Sequence, residues 1–154
     1  MVINLKRLAV SVLLPLAVGG AAGLITRGSV ERYADIAKPP LSPPGWLFPV
    51  VWTVLYILMG VAFYLVWQSD SPSKPTAFRF YFIQLAMNFV WPILFFNLGA
   101  YGFSFLWIVI LWIFILLTTL TFYKADKRAG YLMLPYLLWV TFAAYLNFGV
   151  YILN

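Results

Sequence analysis

Five apolar stretches, each close to the ~20 residues a helix needs to cross the hydrocarbon of a bilayer, decide what this chain can fold into. They run over residues 8–25, 46–67, 80–96, 103–123 and 131–153. A membrane barrel would alternate apolar and polar residues in segments of about ten. Runs such as FLWIVILWIFILL do not alternate. The expectation is an all-α integral membrane bundle of five transmembrane helices, one domain over residues 1–154. Composition agrees, since 64% of the residues are hydrophobic and 9% charged, where soluble domains carry roughly 25% charged residues. Lys6 and Arg7 ahead of the first stretch give it the look of a secretory signal. Its apolar run is long for one, so it is read as the first helix.

Lys and Arg in the connecting loops set the orientation, because the more basic side stays in the cytoplasm. Lys6, Arg7, Lys74, Arg79, Lys124, Lys127 and Arg128 fall on one side, and Arg27, Arg32 and Lys38 on the other. The amino terminus is therefore expected inside. The net charge of +6 follows from this asymmetry and from attraction to anionic headgroups, and calls for no nucleic acid partner.

Absent residue types narrow the chemistry. With no Cys and no His, the usual ligands for zinc, copper, haem iron or iron–sulfur clusters are missing, so neither a metal nor a resident cofactor is expected. The four acids, Glu31, Asp35, Asp70 and Asp126, all fall in loops, which disfavours a pump or an ion-coupled transporter. No constellation for conventional acid–base or nucleophilic catalysis is present.

Aromatic rings and amides remain, and residues three, four, seven and eleven apart share one helical face. Trp52, Tyr56, Met59 and Phe63 form such a stripe on the second helix, and Gln84, Asn88, Trp91 and Phe95 on the third. On the fifth, Tyr136, Trp139, Ala143, Leu146 and Asn147 fall on one side. At ~1.5 Å per residue, Trp52 and Trp91 lie roughly 9 Å below the outer ends of their helices, Asn88 roughly 13 Å, Asn147 roughly 8 Å and Trp139 roughly 20 Å. The stripes can thus meet in the outer half of the bundle. Small Ala143 and Gly60 nearby suit a slot for a planar apolar ligand. Above it, TRGSVERYADIAKPPLSPPG (residues 26–45) is stiffened by four prolines and carries Tyr33 and Ile36 as apolar handles. It is read as an ordered lid. Trp46 and Trp67, about 31 Å apart on one helix, read as interfacial anchors. Trp107 and Trp112 lack polar companions and are expected to face lipid or a second subunit. Gly19 and Gly23 form a small-xxx-small pair, a sign of close helix approach.

KPPLSPPGWLFPVVWTVLYILMG, QLAMNFVWPILFF and PYLLWVTFAAYLNFGVYILN resemble the signature stretches of the tryptophan-rich sensory protein and translocator protein family, also called peripheral-type benzodiazepine receptors. The resemblance implies a homodimer in the membrane, here the bacterial cytoplasmic membrane, that binds porphyrins such as protoporphyrin, isoquinoline-carboxamide and benzodiazepine drugs and, in animals, cholesterol. It also implies a role in stress responses, and for some bacterial members a light-dependent breakdown of protoporphyrin. By motif, Trp52 of W-x-x-L-Y and Trp139 of P-Y-L-x-W match the rings tied to that photochemistry. Asn88 and Trp91 match N-x-x-W, Ala143 and Asn147 match F-A-x-x-L-N, and Tyr33 and Pro43 lie on the loop expected to cover the ligand. The chain departs from many relatives in having Pro40 and Leu41 where a Trp follows K-P, and it has no Lys or Arg after VYILN to complete the cholesterol motif. The expected function is a ligand-binding membrane receptor, with transport of porphyrin or lipid between leaflets as the rival class and a partner-docking sensor, through the basic loop KADKRAG, as a third.

Overall fold

A computed structural model describes residues 2–154. The elements are α1 (Leu5–Thr26), the short α2 (Glu31–Asp35), α3 (Leu47–Gln68), α4 (Lys74–Pro92), which runs on into a π-helical turn (Ile93–Asn97), α5 (Tyr101–Ala125) and α6 (Lys127–Leu153). Five helices, α1, α3, α4 with its π turn, α5 and α6, are long and apolar enough to cross a membrane. The protein is a multi-pass helical membrane protein, with no strand among the described residues.

Four spans begin earlier than the apolar stretches do, α4 and α6 by the most. α4 starts at Lys74, because Pro75 sits in its first turn, where a missing N–H costs nothing. α6 starts at Lys127, because the Asp126 side chain accepts a hydrogen bond from the Arg128 N–H at 2.9 Å and so caps the helix. Charged residues end an apolar run but do not end a helix.

The spans form a ring. α1 packs on α3, α3 on α6, α6 on α5 and α5 on α4, with a thinner seam between α4 and α1. Gly60 lets α1 and α3 cross closely, since a Cβ there would strike the main chain of Ser11 and Val12. This corrects the expectation that Gly60 borders a ligand slot: its missing side chain serves helix packing. Met59 and Phe63 likewise belong to the packed core between the helices, where Phe63 stacks on Phe78 at 4.7 Å and Tyr81 on Phe122 at 5.5 Å.

Trp107 and Trp112 do have polar companions, which corrects that part of the expectation. The Trp107 indole donates to the Met87 carbonyl at 2.9 Å and the Trp112 indole to the Thr141 hydroxyl at 2.8 Å. Both rings staple α5 to its neighbours, because an indole N–H at membrane depth needs an acceptor. Their companions sit on other helices, where spacing along α5 cannot reveal them. Trp46 is exposed, at 69%, whereas Trp67 lies half-buried with the Arg7 guanidinium 5.0 Å above its ring.

Candidate ligand cavity

At the end of the bundle that carries α2, helices α1, α3, α4 and α6 diverge around a cavity of about 500 Å³. That volume is in the range of small-molecule sites, roughly 300–1,000 Å³. Trp52 and Tyr56 line it from α3, Asn88 and Trp91 from α4, and Trp139, Ala143, Leu146 and Asn147 from α6, with Tyr33 above. Phe95 joins them from the π turn, whereas Met59, Phe63, Gln84 and Tyr136 of the same stripes do not border the cavity. Pro43 lies off it too, and Gly45 borders the cavity from that part of the loop.

A chain of side-chain hydrogen bonds forms the floor. The Tyr56 hydroxyl donates to Asn88 Oδ1 at 2.8 Å, Asn88 Nδ2 donates to the Tyr136 hydroxyl at 2.7 Å, and that hydroxyl donates to Gln84 Oε1 at 2.7 Å. Gln84 Nε2 completes the chain on Met59 Sδ at 3.6 Å. Tyr136 is 1% exposed and Gln84 0%, so the network joins α3, α4 and α6 away from water and lipid. Buried polar groups in a membrane persist only when satisfied in this way.

Higher in the wall, the Trp91 indole donates to Asn147 Oδ1 and Asn147 Nδ2 donates to the Tyr101 carbonyl, both at 2.9 Å. The amides are thus largely committed to the protein. Two other groups are not. Trp139 Nε1 and the Tyr33 hydroxyl are buried on the cavity wall without a hydrogen-bond partner. The Ser42 hydroxyl on the same loop is engaged with the Pro39 carbonyl at 2.7 Å. Burial pushes the Tyr33 phenol above its ordinary pKa, with the nearby Ser42 hydroxyl opposing the shift. Phe48 bridges the pair, its ring 6.0 Å from Trp139 and 5.6 Å from Tyr33.

Sequence reasoning missed Phe48 and Phe96. The π turn after Pro92 inserts a residue into the helical register, so adjacent Phe95 and Phe96 both reach the wall, and both pack near Tyr33, at 6.4 and 6.1 Å. Helical spacing counted along α4 does not reveal the turn's extra residue, so the stripe stops at Phe95 and misses Phe96.

The loop over the cavity is tied down as a strap. Ala37 exchanges two hydrogen bonds with the Asn154 side chain, at 3.2 and 2.8 Å, and the Tyr145 hydroxyl donates to the Pro40 carbonyl at 2.7 Å. Pro39 packs so tightly on α6 that Gly149 has no room for a Cβ. The cavity is open between α1 and α3, where wall residues Gly20, Gly23, Pro49 and Thr53 are exposed.

Fold and site together define a five-span helical membrane protein with a strapped aromatic cavity at one end. The chain belongs to the TspO/MBR family, whose profile matches residues 11–153. It is 42% identical to the tryptophan-rich protein TspO of Archaeoglobus fulgidus, over 98% of this chain and 99% of that protein. It is 38% identical to the tryptophan-rich sensory protein of Cereibacter sphaeroides, over 80% and 77% of the two chains. It is 32% identical to the translocator protein of Bos taurus, over 90% and 85%. It is thus a membrane protein of the sensory and translocator class.

Proposed function

We propose that the cavity binds a flat, mostly apolar guest of the porphyrin type, protoporphyrin foremost, and that drug-like isoquinoline carboxamides and benzodiazepines compete for it. The observation that carries this reading is the unpartnered Trp139 Nε1 on the wall of a cavity built from aromatic rings on four elements. A buried donor without an acceptor is a cost that a guest's ring nitrogen or carbonyl would relieve. Trp52 and Trp139 flank the same space, so the excited state of an illuminated guest would be met by either indole, as the light-dependent chemistry expected of the family requires.

Titrating protoporphyrin while following tryptophan fluorescence tests the seating. Quenching with a saturable isotherm is expected, and the Trp52→Phe, Trp139→Phe double variant should bind at least tenfold more weakly. Unchanged affinity in that variant would overturn the reading. The opening between α1 and α3 favours exchange with the bilayer, so a second reading is transport between leaflets. A liposome flux assay separates the two, since a receptor gives no net transfer.

A further inference from the structure

Among the described residues Arg27 is the one charged residue on the wall of a cavity otherwise lined by apolar, aromatic and neutral polar side chains. It follows α1 directly, at the rim, and it is exposed. The other two cations of the strap are engaged. Lys38 Nζ donates to the carbonyls of Tyr33 at 2.8 Å, Ala34 at 3.3 Å and Ile36 at 3.3 Å, which closes the end of α2, and Arg32 donates to the Ser29 hydroxyl at 3.4 Å. Among the described residues Arg27 makes no side-chain hydrogen bond, and the sole ion pair joins Arg128 to Asp126 in the turn between α5 and α6. Glu31 and Asp35 share the strap with Arg27, yet neither comes within salt-bridge distance of it.

The ordinary task of a basic residue after a helix is to satisfy the last carbonyls. Here it is already filled. The Thr26 hydroxyl donates to the Ala22 carbonyl at 2.9 Å, Asn97 Nδ2 donates to the Ile25 carbonyl at 3.3 Å, and the Thr26 carbonyl accepts from the N–H groups of Ser29 and Val30. The guanidinium is left over from the helix and held at the mouth of the cavity.

We propose that Arg27 receives the carboxylate of an amphipathic guest, whose flat apolar part lies among the rings while its acid group stays at the rim. This rests on the reading that the cavity takes a planar apolar guest, and adds its polarity: a carboxylic acid is preferred to the matching ester. A guanidinium presents paired donors to a carboxylate in a planar fork. The same fork would also accept a phospholipid phosphate. The guest's carboxylate is assigned because Arg27 borders the cavity itself.

The test uses the full chain in a nonionic, phospholipid-free detergent and follows tryptophan quenching by protoporphyrin and by its dimethyl ester. The parent protein should bind the diacid roughly fivefold more tightly than the ester, the scale of an accessible ion pair. Raising the ionic strength should shrink that ratio. Arg27→Gln should bring the diacid down to the ester's affinity and leave the ester unchanged, and Arg27→Lys should keep part of the preference. Equal binding of diacid and ester by the parent, or an equal loss for both in Arg27→Gln, overturns the proposal. So does a preference that equimolar phosphatidylglycerol abolishes, since the residue then belongs to a lipid headgroup. If neither compound quenches any variant, the cavity reading itself fails, an outcome distinct from loss of the acid preference alone.

Discussion

One amide on α6 ties the cavity wall to two other elements: Asn147 accepts the Trp91 indole N–H at 2.9 Å and donates to the Tyr101 carbonyl at 2.9 Å. Asn147 is 1% exposed, so nothing else can replace either bond. Asn147→Ala should destabilise the protein by about 1–3 kcal/mol, seen as a lower melting temperature in detergent. It should also loosen the Trp91 ring and weaken protoporphyrin binding. Asn147→Gln, one methylene longer in a full site, should restore little of either.

The strap should control how fast a guest leaves rather than how well the bundle folds. Tyr145→Phe removes the bond to the Pro40 carbonyl, and Asn154→Ala removes both bonds to Ala37. Each bond contributes about 0.5–1.5 kcal/mol, so the double variant should release a bound porphyrin roughly tenfold faster in stopped-flow quenching, with the melting temperature little moved. Gly149→Ala should do the same by a steric route, because its Cβ would push Pro39 off α6.

Two glycines four residues apart should behave in opposite ways. A Cβ at Gly19 would run into the Tyr56 ring, whereas Gly23 has open space around it on the cavity rim. Gly19→Ala should destabilise by about 1–3 kcal/mol, as overpacking does. Gly23→Leu should melt like the parent and bind at least tenfold less protoporphyrin, by filling the opening between α1 and α3. Equal melting losses in both would show that Gly23 also packs.

Asp126 should confer a mild acid sensitivity on the turn between α5 and α6. Hydrogen bonds from the Arg128 guanidinium, with further help from the N–H groups of Arg128 and Ala129, hold its carboxyl below the usual range against the opposing effect of partial burial. A depressed carboxylate stabilises the fold above the unfolded value, near ~3.9, and that contribution is lost as the pH falls through the lower folded value. Asp126→Asn keeps a capping oxygen and lacks the ion pair. Its melting temperature should therefore trail that of the parent slightly at pH 6, and the gap should close towards pH 3.

The five spans were legible because length and apolarity alone decide a membrane crossing, and Trp52, Asn88, Trp91, Trp139 and Asn147 were legible because helical spacing puts each on a face with other rings. What remained hidden lay between elements or in the main chain. Asn88 and Asn147, members of the stripes that face the slot, spend their hydrogen bonds on Tyr56, Tyr136, Trp91 and Tyr101, and among the described residues the unpartnered buried donors on the cavity wall are Trp139 and Tyr33. The departure at Pro40 and Leu41 illustrates the second case. Pro40 contributes its carbonyl to Tyr145, and Leu41 is 82% exposed in a left-handed turn at φ 71°, a conformation that costs a side chain such as Leu about 1–2 kcal/mol. Neither role can be read from side-chain identity.

The hydrogen-bonded floor makes the molecule directional. Anything held above Tyr56, Asn88, Tyr136 and Gln84 faces a sealed plug and then a core of stacked rings. Onward passage would demand that several satisfied polar pairs open together in a low-dielectric interior. On the proposed reading, a guest would therefore exchange only with the half of the bilayer nearest the strap: the pouch would fill and empty through one door.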